Sequence, residues 1–333
     1  MRTNNATFAN FICRFGDGAV LLDYAIEIVI PAFTRDTYVR SYGDTTHYHF
    51  YEVEIVILDA DSDPPVVGLA GRFIKNTELT RYQIFDQRKG LVQDEQRMPS
   101  ATSVFFVLIL NNHRLIYFPE TPHAPDLNVF RTTAQQFMRQ RHKEFINELY
   151  EELHPGDGSI TKKVLNETHP RPSLEIIPLT TAEDIAAFIH RYEILKRIDF
   201  RLVRPNDDID AGEIFEQIRE LSAGLNANKT KVTTANPKDG LDIETSIETV
   251  TEATERGNQD ITLSGTDHDG HKLSGNNEHF QIYAPIDKVP KAKPSLVAKL
   301  YEAFTALVES GAIRLPDQGP DQIARVKRMI DLL

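Results

Sequence analysis

One cysteine, no tryptophan and four methionines occur in the 333 residues. A single thiol, Cys13, excludes an intrachain disulfide framework and a four-cysteine zinc site. Positive charge is also short. Against 49 Asp and Glu stand 37 Lys and Arg, a net charge of −12. That balance excludes a uniformly basic nucleic-acid coat and leaves room for a local basic surface. Long apolar runs are missing too. The opening MRTNNATFANF lacks the apolar stretch of a secretory signal, and no later run could span a bilayer. A cytoplasmic protein without a membrane partner is expected. The 41% hydrophobic content suffices, at this length, to bury cores without disulfide or metal staples, and two domains are expected.

What is present reads as strands for the first 120 residues. Tyr48 to Leu58 alternates, with His49, Tyr51, Val53, Ile55 and Ile57 on one face and Glu52 and Glu54 on the other. Val66 to Ile74 and Glu78 to Phe85 read as two further strands. Ser103 to Leu110 (SVFFVLIL) is a central strand covered on both faces. Asn111-Asn112 then turns the chain into a partner strand, because asparagine tolerates positive φ. A long helix is predicted from Leu127 to Leu153, with Phe137, Phe145, Ile146, Leu149 and Leu153 on its apolar stripe. The Pro- and Gly-bearing HPGDGSITKK is the best domain boundary.

Beyond it the pattern alternates. Leu174 to Ile177 is a strand, and Thr181 starts a helix carrying Ile185, Phe188 and Ile189. Ile198, Phe200 and Leu202 face one way on the next strand. Asp210 and Glu213 cap a helix whose inward face is Ile214, Ile218, Leu221 and Leu225. Lys229 to Thr234 is a strand, and Leu241 to Glu255 an amphipathic helix. A hairpin turns at Asp267-His268-Asp269-Gly270, and a strand near Phe280 to Tyr283 follows it. Two helices end the pattern, Ser295 to Ser310 and Asp321 to Leu333. The fold class is therefore α+β: a β-rich domain with a long helix (1–154), a β-α alternating domain ending in a hairpin (165–290) and a C-terminal helical pair (291–333).

Catalytic signatures are sparse. Neither Gly16-Asp17-Gly18 nor Gly156-Asp157-Gly158 has phosphate-loop spacing, and no Gly-x-Ser-x-Gly elbow occurs. Cys13, within FANFICRF, reads as a packed small hydrophobe. No lysine has an acid two positions before it, so the Asp/Glu-x-Lys element of one nuclease class is absent. His47 and His49 share a strand face without a third ligand at recognisable spacing. His268 and His271 could collect a cation with Asp267, and so could Asp207, Asp208 and Asp210. A solvated turn and a helix cap are the simpler readings. No catalytic residue, metal or cofactor is assigned.

Basic residues make the stronger pattern. Arg139 and Lys143 lie one helical turn apart, with Arg141 around the cylinder. Arg197 and Arg201 share a strand face, as do Lys229 and Lys231, and Arg204 ends the first of these strands. Converging on one cleft, these seven (without Arg141) would neutralise phosphates and release counterions. Tyr82, Tyr117 and Tyr192 could add stacking faces. Leu300, Phe304, Leu307 and Val308, with Ile323, Val326 and Ile330, would serve either intrachain packing or a homodimer.

Two stretches carry a resemblance. Gly71 to Phe137, with GRFIKNTELTRYQIFD and SVFFVLILNNHRLIYF, and Leu195 to Ile286, with LKRIDFRLVRPNDD and TDHDGHKLS, resemble an uncharacterised bacterial family labelled only as a domain of unknown function. It brings no catalytic set. The second half is similar, more distantly, to the phage-exclusion protein A of the lambda Rex system, through a β-α alternation that ends in a hairpin like QDITLSGTDHDGHKLS. That resemblance implies a non-enzymatic, dimeric, DNA-binding sensor in phage defence. The expected function is a non-catalytic nucleic-acid-binding component of anti-phage defence, with DNA the first choice of ligand and a partner effector protein possible. The alternatives are a metal-dependent enzyme acting on nucleic acid or nucleotide, and a protein-interaction module of a defence complex.

Overall fold

The computed structural model describes residues 4–16, 18–156, 158–203, 215–225, 227, 229–255, 257, 259–315 and 319–332. Strands β1 (Asn5–Phe15) and β2 (Ala19–Val20) lead through a 3-10 turn and a π-helical turn into α1 (Ile30–Thr34). Then come β3 (Arg40–Tyr42), β4 (Thr46–Asp59), β5 (Val66–Asp86), β6 (Gly90–Ile109), β7 (Arg114–Pro119), α2 (Leu127–Leu153) and α3 (Lys162–Thr168). The alternating stretch comprises β8 (Pro172–Pro178), α4 (Ala182–Ile189), β9 (Tyr192–Leu202), α5 (Glu216–Gly224), β10 (Thr230–Ala235), α6 (Ile243–Thr254), β11 (Gln259–Asp267) and β12 (Lys272–Asn276). Last come β13 (Tyr283–Pro285), α7 (Lys293–Glu309) and α8 (Pro320–Asp331). The class is α+β, as the patterning predicts.

The larger sheet is antiparallel, in the order β13-β1-β7-β6-β5-β4-β3, with β2 and β8 also on β1. Its central strands are apolar on both sides because helices cover both sides. Phe73, Phe106 and Leu108 meet Phe130 and Phe137 of α2 and Val326 and Met329 of α8. Phe105, Val107 and Ile109 meet Leu300 and Phe304 of α7 on the opposite face. The Phe130 ring sits edge-on to Phe50, Phe73 and Phe106 at 5.2–5.5 Å, a favoured aromatic geometry. Each such buried ring contributes roughly 1.5–3 kcal/mol of transfer free energy.

Residues 165–290 feed both sheets. β8 pairs with β1 from Ala9 to Phe15, and β13 pairs with it from Asn5 to Thr7. The remaining strands form a second sheet, β10-β9-β11-β12. Its Ile198, Phe200, Ile261 and Leu263 pack on Phe188 of α4 and Val250 of α6. Arg197, Asp199 and Arg201 alternate to the other face.

Several expectations need correction. β5 is one 21-residue strand, and β6 begins at Gly90 rather than Ser103. LVQDEQRMPS is too polar and too weakly alternating to announce itself. On β4 the first core residues are Tyr48 and Phe50, the face opposite to the expected one. A bulge at Glu52 (φ 49°) then changes the register, and Ile55 and Ile57 are left exposed. In the turn before β7 the positive φ falls on His113, at 56°, and on neither asparagine. Asn111 instead ties β5 to the turn, accepting from the Val67 N–H at 2.8 Å. Leu221 and Leu225 of the α5 region are exposed, whereas Asp210, Glu213 and Ile214 lie outside the described residues. The two last helices pack on opposite faces of the large sheet, so Leu300, Phe304 and Val326 are used within the chain. Cys13 is buried. Among the described residues, no helix is long and apolar enough to cross a membrane.

Candidate nucleic-acid interface

Helix α2 turns its apolar side to the sheet, which leaves one flank facing α3 and β8. Asp126 caps its start, accepting from the Val129 N–H at 2.7 Å. Thr161 caps α3, which returns alongside α2 and delivers the chain to β8. Between these three elements lies a cleft of about 720 Å³ lined by Arg139, His142, Lys143, Lys162 and Arg171, among others. Arg139, Lys143, Lys162 and Arg171 are all exposed. Among the described residues no carboxylate pairs with any of the four, and none lines the cleft. In a chain of net charge −12, this is a local reversal of sign.

Neutral contacts hold two of the four cations in place. Arg139 Nε donates to the Pro172 carbonyl at 3.4 Å. Lys162 Nζ donates to Asn147 Oδ1 at 2.6 Å and lies 5.1 Å from the centre of the Tyr150 ring. His142 Nε2 lies 2.7 Å from the His169 carbonyl, which requires that nitrogen to carry the proton. Burial lowers the His142 pKa, the bond to the His169 carbonyl opposes the shift, and the nearby Arg171 and His169 charges add to it. The imidazole is therefore neutral at pH 7, and the field of the cleft comes from the four permanent cations.

Of the seven expected contact residues, this cleft takes two, Arg139 and Lys143. Three others carry ion pairs on the polar face of the second sheet. Arg197 and Lys231 share Asp199 at 2.8 and 3.0 Å. Arg201 bridges Glu175 of β8 and Asp260 of β11 at 3.1 and 3.0 Å. Arg131 lies 3.9 Å from the same Glu175, and these groups line a smaller recess of about 310 Å³. Lys229 is exposed just ahead of β10, away from the cleft lining. Arg204 lies outside the described residues, as do Asp207, Asp208 and Asp210. Arg141 turns away, as its helical position requires, and pairs with Glu148 at 2.6 Å.

Lys162 and Arg171 complete the cleft, and sequence reasoning missed them. Lys162 opens α3, whose turn-back sets it beside α2, whereas Arg171 follows α3 and is set there by the return of β8 to β1. Tyr117 and Tyr192 are buried, while Tyr82 is exposed on β5. In the β11–β12 turn, ligand atoms of Asp267, Asp269 and His271 come within 4.8 Å of one another. The turn itself explains this, since Asp267 Oδ1 accepts from the N–H groups of Asp269 and His271. His268 Nε2 meets the His190 carbonyl instead.

The family model described as a domain of unknown function, DUF4747, matches residues 32–289, more than three-quarters of the 333 residues. The chain belongs to this family. The DUF4747 region contains the whole basic cleft and the long β5–β6 hairpin, and it leaves β1, α7 and α8 outside. No curated protein matches this DUF4747 chain.

Proposed function

We propose that this DUF4747 protein is a cytoplasmic, non-catalytic nucleic-acid-binding component of bacterial anti-phage defence. Phosphates sit in the α2–α3–β8 cleft, with DNA the first choice of ligand. One observation carries the reading: Arg139, Lys143, Lys162 and Arg171 converge without a carboxylate to neutralise them. Exposed cations held apart from acids are free to exchange counterions for phosphates. Arg197, Arg201 and Lys231 are already compensated and contribute less. The defence setting, with an effector partner in it, is carried only by the β-α alternation that ends in the β11–β12 hairpin.

Fluorescence anisotropy with single- and double-stranded DNA and RNA across a salt series tests the binding. Four phosphate contacts predict a log–log salt slope of about −3.6 for duplex DNA and about −2.8 for a single strand. Lys143→Glu and Arg171→Glu should each weaken binding about tenfold, the worth of one charge-assisted contact. Lys231→Glu should change it little. Absence of binding at low salt, or equal losses from all three variants, would refute the assignment to this cleft.

A further inference from the structure

The β5–β6 hairpin runs far past its neighbours. Pairing of β4 to β5 stops at Thr46 and Thr77, and pairing of β7 to β6 stops at Pro119 and Val104. Past a last bond from the Glu78 N–H to the Thr45 carbonyl, from the Leu79–Met98 pair to the Asp86–Gly90 pair, the two strands pair only with each other among the described residues. Nine residues of β5 at about 3.3 Å each give this arm a length of about 30 Å. The turn at its tip is well made: Asp86 Oδ1 accepts from the N–H groups of Arg88 and Lys89, and Gly90 takes a φ of 76°.

Its side chains suit burial. Leu79 pairs with Met98, and Phe85 with Leu91. The alternation of β5 and the extra residue of β6 near Asp94 put all four on one face. They are 50%, 59%, 73% and 69% exposed. Tyr82 and Ile84 on the other face are exposed as well. A two-stranded ribbon alone in water is marginal, and its outer edges carry unpaired backbone groups.

We infer that this arm is a self-association element: two copies pack arm to arm through the Leu79, Phe85, Leu91 and Met98 face. Charge selects a second copy as the occupant. The arm's acids, Glu78, Asp86, Asp94 and Glu95, equal its bases, Arg81, Arg88, Lys89 and Arg97. Arg81–Asp94 and Arg97–Glu78 pair within it. The net charge of −12 therefore resides on the rest of the chain, where two copies repel. The neutral arm is a place where they meet without that cost, and it offers nucleic acid no attraction. Residues 78–99 supply 22 residues per copy, about half of them on this face, against roughly 20–30 a side for stable interfaces, so the contact suits a dimer that dissociates on dilution. A two-fold axis makes the same patch serve both copies.

Sedimentation velocity on the full chain is the test. Wild type should run at twice the chain mass, with the dimer fraction rising with concentration. The double variant Phe85→Glu, Leu91→Glu should run as a monomer with unchanged far-UV circular dichroism and melting. A second readout uses Gln83→Cys, placed on the apolar face, which should form a covalent dimer on oxidation while Cys13 stays buried. The inference is overturned by wild type that remains monomeric at about 100 µM, by a double variant that still dimerises, or by arm variants that instead lose binding to lipid vesicles or oligonucleotides.

Discussion

At the scale of single residues, Gly71 shows how one missing Cβ sets a register. A methyl group there would lie 2.6 Å from Val53 Cγ2 and 2.7 Å from Val53 Cα. The bulge on β4 closes down on this bare stretch of β5. Gly71→Ala should therefore destabilise by about 1–3 kcal/mol through overpacking, read as a lower urea midpoint. The bulge leaves no mark in its own strand, because Tyr48 to Leu58 alternates without a visible break and only the partner strand carries the glycine. Arg114 makes a different point. It is fully buried, its guanidinium donates once, to the Arg314 carbonyl at 3.2 Å, and Nε and Nη1 have no partner among the described residues. Burial pulls its pKa down to about 10. An apolar side chain of similar length removes that desolvation cost, so Arg114→Met should raise the melting temperature by at least about 2–4 °C.

Among elements, α2 is the most legible. Its bounds, Leu127 to Leu153, coincide with those read from the sequence, because Asp126 caps its start and the Pro- and Gly-bearing segment after His154 ends it. The hairpin β11–β12 and the stop at Gly311 (φ 78°) are equally local signals. β6 was half hidden, since a ribbon exposed on both sides has no reason to alternate. The polar face of the second sheet gives a pH prediction. Burial tends to raise the Asp199 pKa, but hydrogen bonds from Thr233, Arg197 and Lys231 outweigh it and leave the carboxyl below its ordinary value. A depressed carboxyl adds stability above the ordinary carboxylate range and loses it as pH falls through the lowered value. Wild type should thus lose melting temperature below pH about 4. Asp199→Asn should be less stable than wild type at pH 7 and show a shallower acid decline.

The candidate site belongs to the whole molecule. Arg139 and Lys143 could be named from helical spacing, but Lys162 joins them through the turn-back of α3 onto α2, and Arg171 through pairing between residues over 150 apart in sequence. Strand spacing put Arg197, Arg201 and Lys231 on shared faces correctly. The same alternation sets Asp199 beside Arg197 and Arg201, but only the pairing of β9 with β10 and β11 brings Lys231 and Asp260 to that face. The same long-range pairing has a cost during biosynthesis. β1 leaves the ribosome ahead of its partners, which follow at 172–178 and, much later, at 283–285. Translation must pass residue 285 before this opening strand can be sealed, so the last step in closing the sheet comes late and spans nearly the full length of the chain, a connection that makes folding slow.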